Sequence, residues 1–325
     1  TKPPVTPLYR PLLHAALRHE PVGVVHMSLL VMYTYHQARD LSSHTRFVYE
    51  YVCGRGSVET KRALMQRVVH LIADPHAAAV RKTYALRVLL NPMLVSSYAA
   101  KEAPLSVETQ VSVASSQKPE CAHTILSAAN HEPLLNKEMV LLVVNQVWRI
   151  VQGHGMAMFT DDELRVELLK MSTLILEHGA DVLAAEGTSK LAAIKFVWSL
   201  LSLEEGPVQH AAYLFISRFL QKFESPIKIT GQVYVGLLRL TPSDGRALVR
   251  RALDTLVPAL PERVPSKDGQ TPLWVKWTKR TLLDEGHNVL QLCSILQLLV
   301  RYSDLFYDLR EIFVPPLLRS MAERG

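Results

Sequence analysis

Few residue sets in this chain have the types and spacing that chemistry requires. The stretch "YHQARDLSSHT" carries Arg39-Asp40-Leu41, an echo of the kinase catalytic loop, in which the Asp takes a hydroxyl proton and a downstream Asn holds a metal. Here Ala38 precedes Arg39, Thr45 stands where the Asn belongs, and no Asp-Phe-Gly follows. In "CGRGSVE", Gly54 and Gly56 lack the third glycine and the preceding strand of a phosphate cradle, so a helix-to-helix turn is expected. The 13 histidines form no His-Glu-x-x-His pair, and Cys121-Ala122-His123 supplies two ligands where a structural zinc site needs four. In "DEGH", Asp284 to His287, Gly286 has a plain role as a helix stop. No Gly-x-Ser-x-Gly elbow occurs. The reading is a protein that is not an enzyme, with no catalytic residue, no cofactor and no metal.

Two cationic sets remain. Arg246, Arg250 and Arg251 recur at four- and five-residue steps, and Lys276, Lys279 and Arg280 at three and four. On helices each set shares a face that could meet phosphates or an acidic peptide. The second set lies in "TPLWVKWTKRTLLDEGH". With an N-cap at Thr271 and a stop at Gly286, Leu273, Trp274, Trp277 and Thr281 fall on one side of one helix. The cations fall on another. Bases stack on exposed aromatics beside charges, so Trp274 and Trp277 are expected to be structural core, and the cationic edge is what a partner would meet.

The elements that carry these residues read as helices. In "TKRALMQRVVHLIADP", Ala63, Leu64, Val68, Leu71 and Ile72 recur at helical steps. Asp74-Pro75 then ends one helix and starts the next. A phrase also returns along the chain, an acidic turn followed by an apolar-polar pair and a small residue. It begins at Val80-Arg81, Leu164-Arg165, Val208-Gln209 and Val249-Arg250. Val80 to Leu164 is 84 positions, Leu164 to Val208 is 44, and Val208 to Val249 is 41. These intervals match one or two HEAT or armadillo units, in which a small residue lets paired helices approach closely. The fold class expected is all-α, a superhelical solenoid of HEAT-like antiparallel helix pairs, and a single compact bundle is the competing arrangement.

Three segments follow: HEAT-like repeats over residues 1–100, a polar loop or mobile insertion over 101–120 ("KEAPLSVETQVSVASSQKPE"), and repeats continuing the same solenoid over 121–325. The first residue is Thr1 rather than Met, and a piece of something larger is expected. The run "PVGVVHMSLLVMY" is too short to span a bilayer, so no membrane is expected. Net charge is +6 over 325 residues, modest for a duplex binder, so nucleic acid binding is expected to be at most nonspecific. Cys53, Cys121 and Cys293 lack paired spacing, which favours cytosol or nucleus.

From Pro207 onward five phrases follow in near-continuous order: "QHAAYLFISRFL", "PIKITGQVYVGLLRL", "GRALVRRALDTLVPALPERV", "PLWVKWTKRTLLDEGHNVLQL" and "LLVRYSDLFYDLREIFVPPLL". Together they resemble the helical-repeat region of the TRRAP-type scaffold family (transformation/transcription domain-associated protein), pseudokinase relatives of the phosphatidylinositol-3-kinase-like kinases. The resemblance implies a non-catalytic scaffold in the nucleus, within SAGA-like histone acetyltransferase coactivator complexes. Its implied partners are other coactivator-complex subunits and acidic transcriptional activator segments. It carries over no site residue, because the matched phrases look like packing motifs. Two alternatives share the architecture: a helical-repeat protein that binds nucleic acid directly, and a transport or phosphatase adaptor solenoid.

Overall fold

A computed structural model of the chain describes residues 56–102, 133–150, 159, 161–202, 206–240, 245–266, 270–286 and 288–322. Among these residues every regular element is helical and no strand occurs. The kinase echo at Arg39-Asp40-Leu41, the Cys121-His123 pair and positions 103–120 of the polar segment lie outside them. The chain divides into two compact units, Thr1–Leu142 and Val143–Gly325.

In the first unit, Ser57 caps helix α1 (Val58–Ala73) by accepting the Thr60 amide at 3.2 Å. The apolar stripe of α1 buries Leu64, Met65, Val68, Val69 and Ile72. It packs on a π-helical turn, Ala85–Leu90, between α2 (Ala79–Tyr84) and α3 (Asn91–Glu102). Asp74 ends α1 as expected, but Pro75 sits in a turn and the next helix starts only at Ala79. Two long-range ties add to the packing. Arg62 donates to the carbonyls of Pro133 and Leu134 at 2.7 and 3.3 Å, and the Leu135 amide donates to the Tyr98 hydroxyl at 3.0 Å. Helix α4 (Lys137–Val143) follows.

The second unit opens with another π-helical turn, Val144–Trp148. Helices α5 (Asp162–His178), α6 (Ala180–Ala185), α7 (Gly187–Leu201), α8 (Pro207–Lys222), α9 (Ile227–Arg239) and α10 (Arg246–Leu256) come next. After the short α11 (Leu260–Arg263) come α12 (Leu273–Glu285), α13 (Val289–Arg301), α14 (Ser303–Phe306) and α15 (Arg310–Ala322). Short links such as Phe223 to Pro226 turn successive helices back on each other. Two layers result: α8 packs between α5 and α10, while α12 packs between α9 and α15. Helix α13 lies against α9 and α12.

The repeat phrases take equivalent places in the first layer. Leu164, Val208 and Val249 lie in the first turns of α5, α8 and α10, and the small residues Ala212 and Ala252 are fully buried where these helices meet. Val80 departs from the pattern, being 56% exposed. Trp148 is fully buried, its ring 6.3 Å from Phe196 of α7 and 6.0 Å from Phe215 of α8, the latter edge-on. Its indole N–H donates to Ser172 of α5 at 2.9 Å, so one side chain joins four elements with its polar atom satisfied. Among the described residues no single helix is long and apolar enough to cross a membrane.

Candidate docking surface

Helix α12 shows how the two tryptophans are used. Its buried stripe is Trp274, Val275, Thr278, Thr281 and Leu282. The hydroxyls of Thr278 and Thr281 donate to carbonyls one turn back, at 2.8 and 3.0 Å, which lets polar residues sit in that stripe. The expected pattern needs correction at four positions. Pro272, not Thr271, occupies the N-cap, and no side chain caps the helix there. Leu273 is 40% exposed. Gly286 ends the helix with right-handed backbone, so it is not a left-handed stop. Trp274 is buried and meets Phe306 edge-on at 5.2 Å, whereas Trp277 is only half-buried.

The Trp277 ring packs against α9 at Gly231, where a methyl group would fall 2.8 Å from it. It walls a shallow depression that also holds Lys228, Gly236 and Arg239. Within α12 Trp274 turns inward while Lys276, Lys279 and Arg280 are exposed, and α9 brings two other cations beside Trp277. Arg239 is held by Asp284 at 3.1 Å and Glu285 at 3.6 Å.

Lys276, Lys279 and Arg280 are all exposed, and Arg280 reaches the Asp284 carboxylate at 3.7 Å. Such exposed pairs add little stability. On α10, Arg246, Arg250 and Arg251 are exposed too, while Ala252, Thr255 and Leu256 turn inward. Helices α10 and α12 belong to different layers, so the six cations form two sets rather than one continuous ridge. Arg246 and Arg250 line a cleft of about 280 Å³ between α9, α10 and α13, and Arg251 does not.

The cleft contains a cluster that local sequence patterns do not show. Asp254 accepts two hydrogen bonds from Arg301, at 2.7 and 3.0 Å, and one from the Tyr302 phenol at 2.7 Å. Burial, then the hydrogen bond and charge of Asp254, push the Tyr302 pKa up to about 12, with Arg301 and Arg250 opposing. The Gln291 amide donates to the Leu238 carbonyl on the cleft floor. In the first unit Lys82 is 2% exposed, and burial lowers its pKa against the pull of Asp74. Among the described residues no three His, Cys, Asp or Glu side chains converge as metal ligands would.

Three cross-helix bonds in the second unit share one property. Tyr234 to Thr278 spans 44 positions, Arg239 to Asp284 45, and Arg301 to Asp254 47. Each is one repeat long, so complementary polar residues one period apart were the available signal.

Comparison with known proteins agrees with this geometry. A family model described as the Tra1 HEAT repeat ring region matches residues 9–324. A probable transcription-associated protein 1 from Dictyostelium discoideum is 40% identical over 158 residues, 49% of this chain and 3% of that protein. The SAGA complex/NuA4 acetyltransferase complex subunit TRA1 of Saccharomyces cerevisiae is 34% identical over 160 residues, 49% of this chain and 4% of the relative. The human transformation/transcription domain-associated protein is 26% identical over 276 residues, 83% of this chain and 6% of the relative. The chain thus spans a small part of each of these relatives. Repeat spacing, two helix layers and a match over nearly the whole sequence agree on an all-α solenoid of HEAT-like helix pairs, and the chain belongs to the Tra1 HEAT repeat ring family.

Proposed function

We propose that this chain is a non-catalytic scaffold segment of a large nuclear coactivator subunit, working within histone acetyltransferase complexes of the SAGA type. The observation that carries the reading is the family match over residues 9–324, joined to relatives named as subunits of such complexes. A stack of helix pairs offers long faces on which sister subunits and partner segments can dock. The cationic edges formed by Arg246, Arg250 and Arg251, and by Lys276, Lys279 and Arg280, are the candidate contacts for acidic activator segments. The charge they present is modest and, at Arg280, is answered by Asp284. That favours protein partners over direct nucleic acid binding, which needs rows of unanswered cations.

The test is tandem-affinity purification of the full-length protein from nuclear extract, followed by an assay on nucleosomal histones. Acetyltransferase activity should co-purify at constant ratio through both steps. A protein that elutes without that activity, or that binds duplex DNA with a steep salt slope, sinks the reading.

A further inference from the structure

The link between α8 and α9 carries a motif that neither the helix packing nor the docking surface uses. Its residues run Glu224, Ser225, Pro226, Ile227 and Lys228. A serine followed by proline, with a cation three positions after the serine, is the pattern that proline-directed serine/threonine kinases accept. Proline leaves no N–H unpaired in the apolar slot beside the hydroxyl, and the cation meets an anionic patch on the enzyme. The chain has four Ser/Thr-Pro pairs, beginning at Thr6, Ser225, Thr241 and Thr271. Only Ser225 is followed at that distance by a cation, the others having Tyr9, Asp244 and Trp274 there.

The fold presents this motif in the shape a kinase needs. Phe223 has φ −124° and ψ 141°, and Pro226 has φ −53° and ψ 133°, so both ends of the link are extended. Phe223 is buried, its ring 4.9 Å from Phe219 and 5.0 Å from the Lys190 ammonium, which anchors one end. Beyond that anchor Glu224, Pro226, Ile227 and Lys228 are exposed and Ser225 is partly exposed. Among the described residues the Ser225 hydroxyl makes no hydrogen bond, and neither Lys222 nor Lys228 forms an ion pair. Helix α9 begins at Ile227 without a side-chain cap. A kinase would draw Ile227 and Lys228 out of that first turn, and because both are exposed the opening costs little.

We propose that Ser225 is a phosphorylation site for a proline-directed serine/threonine kinase. The Ser225 oxygen attacks the γ-phosphorus of ATP, and its new O–P bond forms as the bond to the ADP oxygen breaks. The serine proton passes to the kinase's base and ADP leaves. The product carries a charge of about −2 at neutral pH. It stands three positions from Lys222 on one side and from Lys228 on the other, with Glu224 as the opposing neighbour. An anion there also favours the first turn of α9. Lys228 borders the depression walled by Trp277, where Arg239 is already held by Asp284 and Glu285. Phosphorylation therefore sets a dianion beside Lys228 at the edge of that depression and orders the start of the helix that walls it. Ser225 is open to such a kinase whether or not the coactivator reading holds.

The test treats phosphatase-stripped full-length protein with a purified kinase of the cyclin-dependent class and Mg-ATP, and locates phosphate by peptide mass spectrometry. Ser225 should be modified. Thr271, which precedes α12 in the same way but lacks the cation, should react at least about tenfold more slowly. Lys228→Ala should slow the Ser225 reaction by roughly tenfold, the scale of one close charge pair across an interface. Ser225→Ala should remove the phosphopeptide and leave the melting curve unchanged. The Ile229 and Thr230 amides bond the Pro226 carbonyl at 2.9 and 3.3 Å, and their hydrogen exchange should slow about two- to fivefold on phosphorylation. No phosphate at Ser225 in the folded protein overturns the proposal, even where a synthetic peptide of the same link accepts it. An unchanged rate in Lys228→Ala also overturns it, because Pro226 is then a helix-start proline and nothing more. Unchanged exchange at Ile229 and Thr230 overturns the ordering of α9.

Discussion

Helices α8 and α12 both sit between two neighbours of their own layer, yet they bury themselves differently. Helix α8 hides ten side chains, from Val208 to Leu220, on almost every side, because α5, α7, α9 and α10 all lie against it. Alanines 211 and 212 let those neighbours approach. Helix α12 hides a single stripe of five and leaves Leu273, Lys276, Lys279, Arg280 and Leu283 outside. Against α9 it sets a tryptophan beside a glycine, Trp277 at Gly231. A helix surrounded in this way is a structural axis, whereas one with an open face has surface left for other work. The helices packed around an element decide whether it keeps a face for partners.

The largest test of this contrast is a tryptophan series. Trp148→Ala removes a fully buried ring from the Phe196–Phe215 cluster and leaves the Ser172 hydroxyl without its donor. It should destabilise the second unit by about 3–5 kcal/mol in urea titration. Trp274→Ala should fall at the lower end of that range, and Trp277→Ala, half-buried, should cost roughly 1–2 kcal/mol by its smaller apolar burial. A Trp277→Ala loss equal to that of Trp148→Ala would break the distinction between the two helices.

A smaller effect is expected at the glycine. In an open helix interior Gly→Ala gains about 0.5–1 kcal/mol. At Gly231 the added methyl would lie 2.8 Å from the Trp277 ring, and overpacking of that kind costs about 1–3 kcal/mol. The clash should win, so Gly231→Ala destabilises alone. In the Trp277→Leu background the same change should become stabilising, because the rigid ring edge is gone. A double-mutant cycle with no coupling would show that the two residues do not tie α9 to α12.

How much of this was legible follows from the same contrast. The repeat spacing at Leu164, Val208 and Val249 is legible because an apolar-polar pair recurs at helix starts, followed at two of the three by the small residues Ala212 and Ala252. The contact between α9 and α12 leaves none: a glycine in "ITGQVY" and a tryptophan in "VKWTKR" share no local pattern. The six cations are legible by type and spacing, but their separation into two layers depends on which helices pack together. The tie from Asp254 to Arg301 and Tyr302 joins different repeats, and helical periodicity within one element says nothing about residues one repeat away. Trp277 was misjudged for a related reason. A period of 3.6 places it on the apolar side, and only the depth of the groove in α9 decides how far it is covered.

The smallest effect concerns pH and the place where α10 meets the end of α13. The Tyr302 phenol, donating to Asp254 at 2.7 Å, has its pKa raised from 10.0 to about 12, chiefly by burial and then by that carboxylate. An unfolded chain releases this proton near pH 10 and the folded chain holds it to about 12. Between those values the folded state therefore binds more protons than the unfolded one, and stability falls as pH rises. The contribution is whole below about pH 10 and is lost as pH climbs through about 12. Tyr302→Phe should flatten the stability profile over that window relative to the parent, measured by urea midpoints at stepped pH. The same carboxylate also holds Arg301, and the variant should leave that pair in place at neutral pH. Identical alkaline slopes in parent and variant would mean that the phenol is not held by Asp254. The wall of the cleft would then rest on the Arg301 pair alone.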